Sequence, residues 1–289
     1  MRNVIFAVAA IGSALAHVPA SAEQVVLQPA SRWNVDFAQN KCRLVRLFGD
    51  GKDQHLLSLE QYWPTIEAGL TVAGPSVRRF RSAEDVDISF YNGQQPQERS
   101  ALMGTIKGIG DAVVISSVRL DGRRPDDDAP NGPVGPDAMV AMGQQANILT
   151  VRQKSRAVSF ATGPMDDAFR VMNRCTLDLL REWGLEPERH LTAMSRPVWN
   201  NKDALSAKIA AVYPRSASYS GLQAILRMRV IVGADGKVES CDMIDATESE
   251  GLKSPACQIM ENATFEPARD ASGAPFRSFY ATSIIYRMG

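Results

Sequence analysis

The sequence predicts an α+β chain. A β-rich first part is closed by one long helix, and a smaller unit of three strands and two helices follows. Three observations predict this. Up to about Phe160 the chain holds short β-branched and aromatic runs separated by turn residues. Met165–Trp183 then carries a sustained apolar period of three to four. Beyond Trp199, a long alternating stretch, an Asp-Gly turn and a second alternating stretch begin a new pattern.

Bulk composition supports a folded chain of ordinary chemistry. The 289 residues are 45% hydrophobic, which excludes intrinsic disorder. Lys plus Arg and Asp plus Glu both number 32, so the net charge is zero. Nucleic acid is therefore not the expected partner, because binding it needs a basic surplus.

The first 22 residues read as a secretory leader. Arg2 precedes an apolar run from Val4 to Val18, and Pro19-Ala20-Ser21-Ala22 supplies a small-residue cleavage site. The run is shorter than the roughly 20 residues that span a bilayer. Cleavage after Ala22 is expected to release a periplasmic chain without a membrane anchor. The alternative is an uncleaved segment that anchors the chain in the inner membrane.

The strand expectations begin with Trp33–Phe37, where Trp33, Val35 and Phe37 alternate with polar residues. Cys42–Phe48 and His55–Leu59 flank the turn Gly49-Asp50-Gly51-Lys52 and predict a hairpin. Thr65–Ala73, Val86–Tyr91 and Ala112–Val118 are further strands. Gly104–Gly110 lacks the spacing of a nucleotide fingerprint and predicts a turn. Asp121–Asp137 is rich in Asp, Pro and Gly and predicts a solvated loop. Its adjacent Asp126, Asp127 and Asp128 lack the ligand spacing of a calcium loop.

In the long helix, Phe169, Met172, Thr176, Leu179, Leu180 and Trp183 form one stripe. Asp166 and Asp167 suit its positive N-terminus, and Gly184 suits its end. A boundary falls near Pro197, dividing the exported chain into residues 23–195 and 196–289.

An exported chain can form disulfides, and Cys42, Cys175, Cys241 and Cys257 permit three connectivities. Four reduced thiols are the alternative. Cys42 and Cys175 are the two in the first unit and are expected to pair there, tying the first hairpin to the long helix.

In the second unit, Asp203–Val212 predicts a helix. Leu222 to Val232 alternates as a strand, Asp235-Gly236 turns the chain, and Val238–Asp245 returns with a bulge expected between Val238 and Cys241. Ser254-Pro255 is expected to start a helix with Ser254 as cap, burying Ala256, Ile259, Met260 and Ala263. Gly273-Ala274-Pro275 turns the chain into a last strand, Phe279–Tyr286.

This series resembles the C-terminal domain of TonB-family energy transducers. The residues that carry the resemblance are Tyr213-Pro214, Ala217, Gly221, Leu226–Val232, Asp235-Gly236-Lys237-Val238, Phe265-Glu266-Pro267-Ala268, Gly273 and the final strand. The resemblance implies a three-stranded antiparallel sheet with helices on one face, and a periplasmic role. Cys241 on the second strand and Cys257 on the covering helix fit such a domain and are expected to pair. The resemblance also implies a protein partner, an extended peptide gripped by strand addition, such as a receptor segment at the outer membrane. Thr282, Ser283, Ile284, Ile285 and Tyr286 are the expected binding edge. The long Pro-rich spacer of a full transducer does not occur here.

No catalytic set stands out. Beyond the leader there are two histidines, His55 and His190, both beside charged or turn-like sequence and both expected at the surface or its rim. Gly-x-Ser-x-Gly, His-Glu-x-x-His and P-loop motifs do not occur. Asp85 and Asp87 share one face of a strand, as many exposed pairs do. No cofactor and no metal are expected. The alternative is an enzyme in the first unit, with the second as its docking module.

Overall fold

A computed structural model describes residues 26–81, 84–121, 136–212, 223–245, 247 and 254–286. The leader, most of the Asp121–Asp137 stretch, and Tyr213, Pro214, Ala217 and Gly221 lie outside the described residues.

The β-branched runs pair into two sheets in the first unit. The larger is antiparallel, ordered β2-β3-β4-β5-β9-β8. It comprises β2 (Asn34–Ala38), β3 (Lys41–Phe48), β4 (His55–Gln61), β5 (Glu67–Ala73), β8 (Ala101–Ile106) and β9 (Gly110–Arg119). The smaller is ordered β1-β11-β10-β6-β7, from β1 (Val26–Leu27), β6 (Val86–Ser89), β7 (Gln97–Arg99), β10 (Leu149–Gln153) and β11 (Arg156–Phe160). In it, β1 runs parallel to β11 and the other pairs are antiparallel.

Leu44, Leu59 and Leu70 of the first sheet meet Ile88, Val151 and Phe160 of the second in one core. Two helices complete it. α1 (Pro136–Gln145) contributes Met139 and Met142, and α2 (Asp166–Glu182) contributes Phe169, Met172 and Leu179. The α2 stripe is buried as its period predicts. Cys175 is bonded to Cys42 of β3, with Cα atoms 5.9 Å apart, so the helix is stapled to the hairpin.

The sequence reading missed several elements. β7 is polar, β8 contains Gly104, and β10 and β11 meet at Lys154, which turns the chain at φ 54°. Their strand character comes from partner strands rather than from local pattern. Gly104 and Gly110 lie in β8 and β9, so the expected glycine turn shrinks to the residues between those strands. α1 was also missed, and Pro136 suits its first position.

After α2 comes α3 (Pro187–Leu191); beyond residue 195 lie β12 (Val198–Trp199), α4 (Lys202–Ala211), β13 (Ala224–Val232), β14 (Val238–Asp245), α5 (Ala256–Met260), β15 (Phe265–Glu266), β16 (Ala268–Arg269), β17 (Pro275–Phe276) and β18 (Ser278–Tyr286). The main sheet is antiparallel and ordered β14-β13-β18. Val232 pairs with Val238 and Ile231 with Ser240, so Glu239 is the extra residue of the expected bulge. Leu205 and Ile209 of α4 and Ala256 and Met260 of α5 pack on Met228, Val230 and Val232. Cys241 is bonded to Cys257, tying β14 to α5.

The start of α5 needs a correction. Pro255 is the cap residue itself, while Ser254 Oγ accepts from Ala256 N–H and pairs with the Tyr286 hydroxyl.

At the β13–β14 turn, Gly236 has φ +79°, and a Cβ there would lie 2.2 Å from the Phe265 carbonyl oxygen. That carbonyl's residue also donates its N–H to Gly236 O. Gly236→Ala is expected to destabilise the chain by about 2–3 kcal/mol, from left-handed strain plus a backbone clash. Urea denaturation checks this, and an unchanged midpoint contradicts it.

Candidate functional site: an uncharged sheet edge between two grooves

β18 lies at the margin of its sheet. β13 pairs along its whole length, from Val232–Ser278 to Ala224–Tyr286. Among the described residues, no backbone–backbone hydrogen bond reaches β18 from any other element. Alternate backbone groups of such a strand face outward without a ladder partner.

The two margins of this sheet differ in chemistry. β14 carries Glu239, Asp242 and Asp245. Its nine-residue counterpart β18, Ser-Phe-Tyr-Ala-Thr-Ser-Ile-Ile-Tyr, has no charge and no proline. Charges and prolines are what natural sheets use to keep strangers off an edge. β14 is guarded in that way and β18 is not.

Register assigns the β18 side chains to two faces. Tyr280, Thr282, Ile284 and Tyr286 share the face of Val230, Met228, Leu226 and Ala224. This face looks toward α4, and a groove of about 550 Å³ runs there between Thr282–Tyr286 and Trp199, Lys202, Ser206 and Ile209. Phe279, Ala281, Ser283 and Ile285 share the opposite face, with Ile231, Arg229, Arg227 and Ile225. A second groove, of about 410 Å³, opens on that side between Ile225 and Ile285 and the first unit's Arg99, Ser100, Leu102, Val114 and Ser116. Ile285, 48% exposed, borders both grooves.

The second wall exists because β13 is buried on both faces. The face without helices is covered by the first unit, through two arginines. The Arg227 guanidinium donates to the Ser116 carbonyl at 2.7 Å and to Ser283 Oγ, and lies 5.1 Å from the Tyr62 ring centre. Burial lowers its pKa, opposed by Tyr62 and Glu60. Burial, reinforced by Glu60, pushes the Tyr62 phenol up, so it stays protonated and donates to Glu60 at 2.7 Å. Gly69 of β5 admits the guanidinium, because a Cβ there would sit 3.0 Å from Arg227 Nη2. Arg229 stacks 4.2 Å from the Trp183 ring centre and donates to Asp242 at 2.8 Å. Trp183 in turn meets Phe279 edge-on at 5.6 Å.

α3 fastens the other end of β18. Arg189 pairs with Asp270 at 2.7 Å. Hydrogen bonds, first from Ser272 and then from Arg189, hold the Asp270 carboxyl far below the usual range. The His190 ring lies between Phe276 and Phe279. Its Nδ1 faces the Glu186 carbonyl at 2.7 Å and so carries the proton, which leaves Nε2 to accept from the Ser278 hydroxyl at 3.0 Å.

His55 corrects the sequence reading, and His190 sits at the rim. His55 is fully buried, donating from Nδ1 to Asp53 O and accepting the Ser76 N–H at Nε2. His190 is half-buried. The turn-like sequence beside His55 misled, because its contacts with Asp53 O and the Ser76 N–H place the ring inside. With both ring nitrogens bonded, each is a structural pin. Asp85 accepts from Ser100 Oγ and is exposed.

Residues 210–288 match the family described as Gram-negative bacterial TonB protein C-terminal. The second unit holds a TonB C-terminal domain. No curated protein and no solved structure matches the chain. Domains of this family belong to the bacterial envelope and act by protein–protein interaction. Among the described residues, no helix is long and apolar enough to cross a membrane.

The structure brings Thr282, Ser283, Ile284, Ile285 and Tyr286 together along one groove. The four cysteines lie elsewhere, as two bonded pairs. The sequence did not single out Leu102, Val114, Ser116 or Arg227. Only the arginines left a signal there, as charges at strand positions that face a second layer.

Burial first, and then Arg196, depresses the His190 pKa from its ordinary 6.5, against the opposing Glu186. The unfolded chain therefore takes up a proton before the folded chain does. This contribution to stability is full above about pH 6.5 and is lost as pH falls through the folded-state value. An NMR titration is expected to place His190 below 6.5, whereas a midpoint above it contradicts the burial.

Proposed function

We propose that the chain works in the periplasm as a protein-interaction module, in two units spanning residues 23–195 and 196–289. In this proposal, an extended segment of another envelope protein, such as an outer-membrane receptor, joins the sheet as a fourth strand along Thr282–Tyr286. The observation that carries the proposal is the uncharged β18 edge beside an apolar groove. A five-residue strand makes only a few main-chain hydrogen bonds, each worth roughly 1 kcal/mol net. On their own these give about millimolar affinity, so side chains seated in the groove must supply the rest. The leader read at Met1–Ala22 would deliver the chain to this compartment and be removed.

Ile285→Lys tests the proposal, because a charge guards an edge and this side chain is already half exposed. Peptides covering the periplasmic N-terminal segments of the source organism's outer-membrane receptors are titrated against the full chain by calorimetry. At least one is expected to bind the unaltered chain, and Ile285→Lys is expected to weaken it tenfold or more with little change in thermal midpoint. Binding indifferent to Ile285→Lys, or no binding by any peptide, contradicts the proposal.

A further inference from the structure

We propose that the first unit carries a second contact surface, a cluster of five cations that seats the chain on the phosphate headgroups of an anionic lipid bilayer. The cations are Arg78, Arg79 and Arg81, in and just after a 3-10 turn, and Lys154 and Arg156 at the β10–β11 hairpin. This surface lies outside the TonB C-terminal match and does not rest on strand addition at β18.

Local structure aims these side chains outward. Along the 3-10 turn Pro75–Arg79 and the residue after it, Val77 and Phe80 lie three apart and are buried. That period turns Arg78, Arg79 and Arg81 to solvent, and all three are exposed. The buried side chain of Gln153 ties this segment to the hairpin. Its Oε1 accepts the Arg81 N–H at 2.7 Å, and its Nε2 donates to Arg81 O at 2.8 Å and to Glu84 O at 3.0 Å. The next residue, Lys154, reaches the Glu84 carboxylate at 2.6 Å, and Arg156 lies 4.0 Å from it. The hydrogen bond from Lys154 first, and then the charges of Lys154, Arg156 and Arg81, hold the Glu84 carboxyl below its ordinary value against the opposing burial.

Two observations set this cluster apart from an ordinary solvated face. The first is its imbalance. Among the described residues, Glu84 is the carboxylate paired with these cations, and Arg78 and Arg79 make no ion pair. The chain as a whole has no net charge, so the excess is local. The second is backbone cost. Gln153 pairs with Arg156, which leaves Lys154-Ser155 as a two-residue hairpin loop. Glycine, asparagine or aspartate normally takes the left-handed position of such a loop. Lys154 takes it here at φ 54°, and among the described residues no other non-glycine has a positive φ. A cation held at a strained tip, where glycine fits freely, points to a task for its charge.

Chemistry selects the occupant. Four of the five cations are arginines, whose planar fork matches phosphate oxygens two at a time. They stand on two exposed turns, so they present several forks to a flat array of phosphates. The apolar residues beside them, Val77 and Phe80, are buried and do not enter hydrocarbon. Contact is therefore electrostatic, at the headgroups, and screened over about 10 Å at 0.1 M salt.

Co-sedimentation with vesicles tests this. The oxidised chain from Glu23 to Gly289 is used, because the apolar leader would bind lipid by itself. Vesicles of equal parts phosphatidylglycerol and phosphatidylcholine are expected to bind it at least tenfold more tightly than phosphatidylcholine alone. Raising the salt to about 0.5 M is expected to release it. Arg78→Glu with Arg79→Glu should weaken binding tenfold or more at an unchanged thermal midpoint. Arg174→Glu with Lys208→Glu, the same charge change at two exposed cations elsewhere, should alter it less than threefold. Lys154→Gly should weaken binding about threefold while the thermal midpoint holds or rises, which a lysine of purely structural role would not do. Equal binding to both vesicles, an equal loss from both double variants, or unchanged binding by Lys154→Gly overturns the proposal. Release by millimolar inorganic phosphate at constant ionic strength would reveal a site for the free anion. Equal affinity for a short DNA duplex would reveal a general polyanion surface. Either result overturns the assignment to lipid.

Discussion

The structure depends on one strand being buried on both faces. All nine residues of β13 are buried, although their sequence alternates as a half-exposed strand would. One face meets α4 and α5 through aliphatic contacts. The other meets the first unit through Arg227 and Arg229, which are 5% and 8% exposed. Two buried guanidiniums carry a desolvation penalty of several kcal/mol each, so bare contact would not hold the units together. Here each meets a flat aromatic face and oriented oxygens, Tyr62, Ser116 and Ser283 for Arg227 and Trp183 and Asp242 for Arg229, which offset part of that penalty. Arg227 Nε and Arg229 Nε and Nη1 have no hydrogen-bond partner among the described residues. Arginine suits this because its planar, weakly hydrated group stacks and donates at once. Lysine could not do both.

That constraint decides where the sheet can still bind anything. With both faces covered, growth is confined to its margins. β14 is guarded by carboxylates and stapled to α5 through Cys241 and Cys257. β18 retains uncharged β-branched and aromatic residues and has a groove on each face. Packing, charge placement and open volume thus converge on the same few residues. The two units cooperate in this, since the contacts that bury Arg227 also bring Ser116 and Val114 up to Ile225 and Ile285.

Much of this was legible in the chain itself. The α2 period, the Asp235-Gly236 hairpin, the bulge at Glu239 and the uncharged last strand are local patterns, and each became the expected element. The cysteines on neighbouring elements formed pairs within their own units. What stayed hidden depends on contacts between segments distant in sequence. Arg227 and Arg229 alternate with apolar residues in the sequence, and no local rule reports that Ser116 and Trp183 lie against them. The burial of His55 stayed hidden for the same reason. β8, with its internal glycine, became a strand only through β9, and so Leu102 could not be foreseen as a wall of the cleft.

Amide hydrogen exchange on the full chain tests the central claim most directly. If β13 is covered on both faces while β18 has one open margin, every amide from Ile225 to Val232 is protected near the global limit. Along β18 protection alternates, with the inward amides slow and their outward neighbours faster by orders of magnitude. Uniform protection along β18 would mean that its edge is already occupied, and fast exchange at Arg227 and Arg229 would mean that the first unit does not cover the sheet. Either result contradicts the account.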